Sequence, residues 1–163
     1  MLETVKPGNK SYIEYCSEFS NLFTKEYYLN IFQYDKIIEF CEFNSPEIIA
    51  GNIKDKYDFY YIIKHNGEMS GYVLLNKGDE TLNISQIFIL KRFRKQKLLS
   101  NIVEEIKNIA KTDDYIAVSI YIVEGKKALQ KIFEKFGFSK KEKIAKYIGD
   151  NIYIYESKYC IQL

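Results

Sequence analysis

Tryptophan is absent from the 163 residues, histidine occurs once, arginine twice, proline twice and cysteine three times. Each scarcity excludes a kind of chemistry. A single histidine, His65, beside Asn66-Gly67, cannot build a His-rich metal site and reads as a solvated turn residue. Cys16, Cys41 and Cys160 are odd in number and lack CxxC spacing, so neither a disulfide framework nor zinc ligation is expected. No apolar run approaches the roughly 18 to 20 residues of a membrane span. Residues 1–6 lack the basic stretch and apolar run of a secretory signal. The expectation is a soluble, cytoplasmic protein without membrane contact or bound metal.

What is present is an ordinary globular mixture, 47% hydrophobic and 28% charged, enough for a packed core. The length predicts one domain over residues 1–163. Charge is unevenly placed. Residues 1–90 hold 8 lysines against 13 acidic residues, whereas residues 91–143 hold 14 basic against 7 acidic, and the last 20 residues balance. A polyanionic ligand on the later segment and a cationic one on the earlier would suit this asymmetry, and so would a chance spread of solvated lysines.

Hydrophobic spacing predicts a short strand at residues 2–5, then a helix over 11–23 carrying Ile13, Cys16, Phe19 and Phe23 on one face. Asp35 reads as the N-cap of a second helix. Ser45-Pro46-Glu47 opens a third, with a capping hydroxyl, a proline at the first helical position and an acid near the positive helix end. Strand-like runs at 58–64 and 70–76 flank His65-Asn66-Gly67-Glu68, and Asn-Gly is a strong hairpin signal. A third strand, 81–90, changes phase at Ser85-Gln86. A helix over 97–111 places Leu98, Leu99, Ile102, Val103, Ile106, Ile109 and Ala110 on one side. Then come a strand at 115–123, a helix with Ala128, Leu129, Ile132, Phe133 and Phe136 on one face, stopping at Gly137, and strands near 138–144 and 151–157. This order predicts a mixed α+β domain. Its sheet would have about seven strands, mostly antiparallel, with one parallel crossover around the helix at 97–111.

The chemistry concentrates where the strand ending at Ile89-Leu90 runs through Lys91-Arg92-Phe93-Arg94-Lys95-Gln96-Lys97 into that helix. First-turn amides lack internal partners and the helix dipole favours an anion, so a strand, basic loop and helix start suit phosphate. Lysine outnumbers arginine 22 to 2, and both arginines lie in this loop. A planar guanidinium fork pairs with phosphate oxygens better than an ammonium does. An ordinary basic loop at a sheet end is the alternative reading.

Ile87-Phe88-Ile89, then Phe93-Arg94-Lys95-Gln96-Lys97-Leu98-Leu99-Ser100, and finally Phe133-Glu134-Lys135-Phe136-Gly137-Phe138 together resemble the GCN5-related N-acetyltransferase (GNAT) superfamily over about residues 58–145. The resemblance implies acetyl-CoA as co-substrate. The backbone at Ile87, Phe88 and Ile89 would meet the pantetheine arm, Arg94, Lys95, Gln96, Lys97, Leu98, Leu99 and Ser100 the pyrophosphate, and Phe133 would stand at the cofactor's thiol end. It also implies an amine acceptor, small molecule or peptide, and a homodimer.

The chain departs from the family pattern in three places. Arg/Gln-x-x-Gly-x-Gly/Ala falls on residues 94–99, placing Lys97 and Leu99 at its two small positions. A catalytic glutamate would fall near Asn83, and the tyrosine that protonates the thiolate aligns with Phe133, which has no proton to give. Glu80, Tyr121 and Tyr147 are substitutes by position, and no catalytic residue is assigned. The expected function is acetyl transfer to a primary amine. The alternatives are a GNAT-fold binding or regulatory domain with a degenerate cofactor loop and, last, a nucleic-acid binder using Arg92, Phe93 and Arg94, which a net charge of only +2 disfavours.

Overall fold

The computed structural model describes residues 1–56, 58–94 and 97–163. Seven strands and five α-helices follow the expected order: β1 Leu2–Thr4, α1 Lys10–Tyr28, α2 Tyr34–Glu42, α3 Pro46–Asp55, β2 Asp58–His65, β3 Glu68–Lys77, β4 Thr81–Ile89, α4 Leu98–Thr112, β5 Ala117–Val123, α5 Lys127–Lys135, β6 Ser139–Tyr147 and β7 Tyr153–Gln162. A 3-10 turn at Lys91–Phe93 follows β4. The strands are ordered β1-β2-β3-β4-β5-β7-β6 in one mixed sheet. The β4–β5 pair is parallel, and the pairs β1–β2, β2–β3, β5–β7 and β6–β7 are antiparallel. Among the described residues, no helix is long and apolar enough to cross a membrane.

Contacts gather the chain into two compact units, Met1–Asn76 with Gln86–Leu99 and Lys77–Ser85 with Ser100–Leu163. In the first, α1 lays Ile13, Cys16 and Phe19 into a core with Tyr60, Ile62, Tyr72, Leu74 and Phe88. The helix runs five residues beyond the expected span, because Phe23, Tyr27 and Tyr28 continue as a chain of ring contacts into Phe32 and Phe40. Ser45 caps α3, its hydroxyl accepting from the Ile48 amide at 3.3 Å, with Pro46 at the first helical position. Asp35 is not an N-cap: Gln33 holds that place, and Asp35 falls in the first turn, where its charge still meets the helix dipole. The β2–β3 hairpin turns on Asn66 (φ 51°) and Gly67 (φ 80°), the paired left-handed conformations that Asn-Gly supplies. His65 closes β2 rather than lying in the turn, and its ring meets Phe93 edge-on at 5.9 Å. From Ser70 to Leu75, β3 is buried on both faces, as a central strand is.

In the second unit, α4 buries Ile102, Val103, Ile106 and Ala110, β5 buries Val118, Ile120 and Ile122, and Phe133 is fully enclosed. The predicted apolar face of α5 is narrower than its sequence suggests: Ala128 and Ile132 are exposed, while Phe133 meets Phe136 and Phe138. Gly137 (φ 89°) stops the helix, letting the Phe138 amide reach back to the Phe133 carbonyl at 3.1 Å.

Candidate functional site

Within the first unit, the second half of β4 is held against β3 at very short range. Gly71 leaves room there that no side chain could share, since a Cβ would lie 1.9 Å from the Phe88 carbonyl oxygen. The Leu90 amide donates to the Ser70 carbonyl at 2.8 Å. Gln86 accepts from the hydroxyls of Tyr72 and Ser20, and Phe88 packs its ring on Phe19 at 6.2 Å. Phe88 and Ile89 therefore turn their side chains into the core, and only their backbone is left for the role expected of them.

Arg94 ties the end of β4 to α1. Its Nε donates to the Ile89 carbonyl at 2.7 Å, and its two terminal nitrogens reach the Glu26 carboxylate at 2.5 and 2.9 Å. The guanidinium also lies 5.6 Å from the Phe88 ring centroid. Arg92 pairs with Glu68 at 2.7 Å. Both arginines thus meet glutamates distant in sequence, which local spacing could not reveal. Lys95 and Gln96 lie outside the described residues.

Lys97 adopts φ 52°, a left-handed backbone that glycine takes most readily. Leu98 starts α4 and is buried, whereas Leu99 and Ser100 are half-exposed at its first turn. Of the two leucines that spacing places on the apolar face, Leu98 is buried and Leu99 only half-buried.

In the second unit, β4 and β5 pair in parallel from Thr81–Ala117 to Ile84–Ile120. Asn83, near which the resemblance would put a glutamate, accepts a hydrogen bond from the Ser119 hydroxyl at 2.5 Å. Beside it opens a cavity of about 580 Å³ lined by Gly78, Asp79, Glu80, Thr81, Asn83, Tyr121 and Lys158. Glu80, Asn83 and Tyr121, separately considered from the sequence, thus share one cavity. Gly78 is needed in its floor, because a Cβ would stand 2.8 Å from the Thr81 carbonyl oxygen and 3.1 Å from Asn83 Nδ2. Lys158, which sequence reasoning missed, reaches the cavity because β7 pairs it opposite Tyr121. Its ammonium lies 5.8 Å from the Tyr121 ring centroid and 3.8 Å from Glu142. Tyr147 instead meets Tyr153, ring centroids 5.3 Å apart and planes tilted by 54°, at the exposed β6–β7 hairpin. Phe133 is 0% exposed and brings no titratable proton. A second polar cluster surrounds Glu124, whose carboxylate accepts from the Ser157 hydroxyl and from Lys140 at 3.1 Å. The Ser157 hydrogen bond first, and then that of Lys140, hold this carboxyl below its ordinary value.

A family model described as "Acetyltransferase (GNAT) domain" matches residues 28–149. No curated protein sequence matches the chain. Among solved structures, the chain is similar to the PaiA N-acetyltransferase of Thermoplasma acidophilum in complex with coenzyme A (TM-score 0.73, 15% identity, 98% of this chain and 99% of that one). It is similar to a GCN5-related N-acetyltransferase of Rhodopseudomonas palustris (TM-score 0.75, 10% identity, 100% and 95%). It also resembles a GNAT family acetyltransferase of Elizabethkingia anophelis with acetyl-CoA bound (TM-score 0.57, 19% identity, 69% and 82%). At these identities the likeness is one of fold.

Proposed function

The chain belongs to the GCN5-related N-acetyltransferase family, and we propose that it acts as one domain that transfers the acetyl group of acetyl-CoA to a primary amine. The family match over residues 28–149 carries the reading, because it spans β4, the turn, α4, β5 and most of the closing elements. In the reaction the neutral amine nitrogen attacks the thioester carbonyl. A C–N bond forms, the C–S bond breaks, and the proton lost by nitrogen balances the one gained by the departing thiolate. Positioning the two reactants supplies much of the rate, and backbone N–H groups at the carbonyl oxygen would supply more.

Three observations on this chain support cofactor binding. Lys97 takes the left-handed turn without glycine, the first-turn amides of α4 follow it, and lysines flank the loop. Leu99 and Phe133 favour the second reading, a GNAT-fold binding domain with a degenerate loop. Neither Asn83 nor Phe133 can move a proton at pH 7. Asp79 and Glu80 are the carboxylates lining the cavity beside Asn83.

Melting the protein with and without acetyl-CoA tests the reading. At about 100 times the dissociation constant, a ligand selective for the folded state adds about 2.7 kcal/mol, or roughly 5 to 10 °C at this size. No shift at millimolar acetyl-CoA supports the degenerate domain. The role of Arg94 is separable in the same assay. Arg94→Ala should weaken binding, while Glu26→Gln, which removes a competing carboxylate from the guanidinium, should tighten it several-fold. Weaker binding by Glu26→Gln would mean that the Glu26–Arg94 pair only shapes the turn.

A further inference from the structure

The β6–β7 hairpin lies wholly within the second unit and carries a face that acetyl transfer leaves unused. In its register Tyr147 stands opposite Tyr153, Ala145 opposite Tyr155 and Lys143 opposite Ser157. Opposed residues, and residues two apart along a strand, share a face, so the three tyrosines and Lys143 lie on one side of the hairpin. Tyr147, Tyr153 and Tyr155 are 56%, 57% and 54% exposed. The Lys143 ammonium lies 5.0 Å from the Tyr155 ring centroid. Positive charge is concentrated in α5 and β6, which pack together: residues 126–147 hold eight lysines against Glu134 and Glu142, an excess that the whole chain's net charge of +2 conceals. We propose that this face binds single-stranded nucleic acid, with bases stacked on the tyrosines and phosphates met by the lysines.

Lysines on an edge strand discourage pairing with another strand. That accounts for Lys140, Lys141, Lys143 and Lys146, but not for three bared rings among them. A base stacks on any aromatic face open to solvent, whatever the sequence, because every base has a π-face. Tyr153 and Tyr155 are two residues apart, roughly 7 Å along the strand, or about twice the ~3.4 Å between successive nucleotides of a strand. Each ring can therefore take a base without crowding the next. The hairpin tip is already closed: the Ile148 amide donates to the Ile152 carbonyl at 3.0 Å, and the Ile152 amide to the Gly149 carbonyl at 2.8 Å. A platform fixed in this way loses little freedom on binding. Lys140 is held by Glu124 at 3.1 Å, whereas among the described residues Lys141 and Lys146 form no ion pair that a phosphate would have to displace. An anionic lipid surface would meet the same lysines, but insertion into lipid uses Leu, Phe and Trp, and the rings exposed here all carry hydroxyls. A second copy of the chain set edge to edge would oppose lysine to lysine, a like-charge contact.

Fluorescence anisotropy of a labelled thymidine oligomer of about twelve nucleotides, titrated with the full chain over a series of salt concentrations, tests the proposal. Binding should weaken with salt along a log–log slope of roughly −2 to −3, that of three or four phosphates met by cations on a single strand. Tyr153→Ala and Tyr155→Ala should each weaken it roughly tenfold, and Tyr155→Phe, which keeps the ring, by less than about twofold. Lys143→Gln should flatten the slope by about 0.7. Tyr34→Ala removes a ring 65% exposed on α2 and should change nothing. Melting curves control for folding, and Tyr155→Thr, which removes the ring but keeps strand propensity, replaces the alanine variant if that one loosens the hairpin. No binding at low salt overturns the proposal. Binding that the tyrosine variants leave unchanged also overturns it, since charge alone then carries the contact, and so does equal affinity for a duplex, whose bases are covered. Retention on phosphatidylserine vesicles without affinity for the oligomer would give the face to lipid, and a dimer abolished by the tyrosine variants would give it to a second copy. Either result overturns the nucleic-acid assignment.

Discussion

Replacing Gly71 by alanine tests how closely β3 and β4 must approach to place the strand expected to meet the cofactor. The added Cβ would stand 1.9 Å from the Phe88 carbonyl oxygen, 2.9 Å from its carbon and 3.0 Å from Ile89 Cα. All three are backbone atoms, so no side-chain rotation relieves the clash. Ordinary carbon contact begins near 3.5 Å, so the strands must part by about 1.5 Å at this point. The adjacent hydrogen bond from the Leu90 amide to the Ser70 carbonyl, 2.8 Å long, would then exceed the usual limit of about 3.2 Å. One lost bond costs about 1 kcal/mol and overpacking about 1 to 3 kcal/mol more, a total of roughly 2 to 5 kcal/mol with neighbouring strain included. That is a large share of the ~5 to 15 kcal/mol holding a typical domain. Urea and thermal denaturation should show it, as a fall in melting temperature of roughly 5 to 15 °C. Gly51→Ala is the matched control: its Cβ meets nothing within 4 Å inside α3, and alanine there should stabilise by up to about 1 kcal/mol. Gly71→Ala melting at the parent's temperature would refute the argument.

Burial pushes the Cys16 thiol up to about 12 and leaves Cys160 covered, while Cys41 is half-exposed. Iodoacetamide at mildly alkaline pH should therefore alkylate Cys41 first and the other two only in denaturant, and equal rates in the native protein would contradict this. The Glu124 carboxyl, lowered by Ser157 and Lys140, contributes stability that is present above its ordinary 4.5 and lost as pH falls through its folded value. The melting deficit of Ser157→Ala should consequently be largest near neutral pH and shrink on acidification. A deficit independent of pH would assign it to packing alone.

Much of the architecture was readable because it rests on local rules. Ser45-Pro46-Glu47 starts a helix by capping chemistry, Asn66-Gly67 turns a hairpin by its φ angles, and Gly137 ends a helix in the same way. Period-2 and period-3.6 spacing supplied the elements between them, and the order of those elements required one parallel crossover. Local rules misjudged Asp35, His65 and the exposed face of α5, where a neighbour or a cap competes with the pattern. They also located the basic loop and the odd residues within it. They could not show that the Lys97 backbone keeps a glycine-like turn, since a left-handed lysine has no spacing signature. Nor could they pair Arg94 with Glu26, 68 residues away, or bring Lys158 opposite Tyr121 into the cavity that Asp79 and Glu80 also line. Hydrophobic periodicity specifies which face of each element is buried. Strand order and register decide which polar side chains from distant segments meet, because pairing between strands is a property of the folded chain.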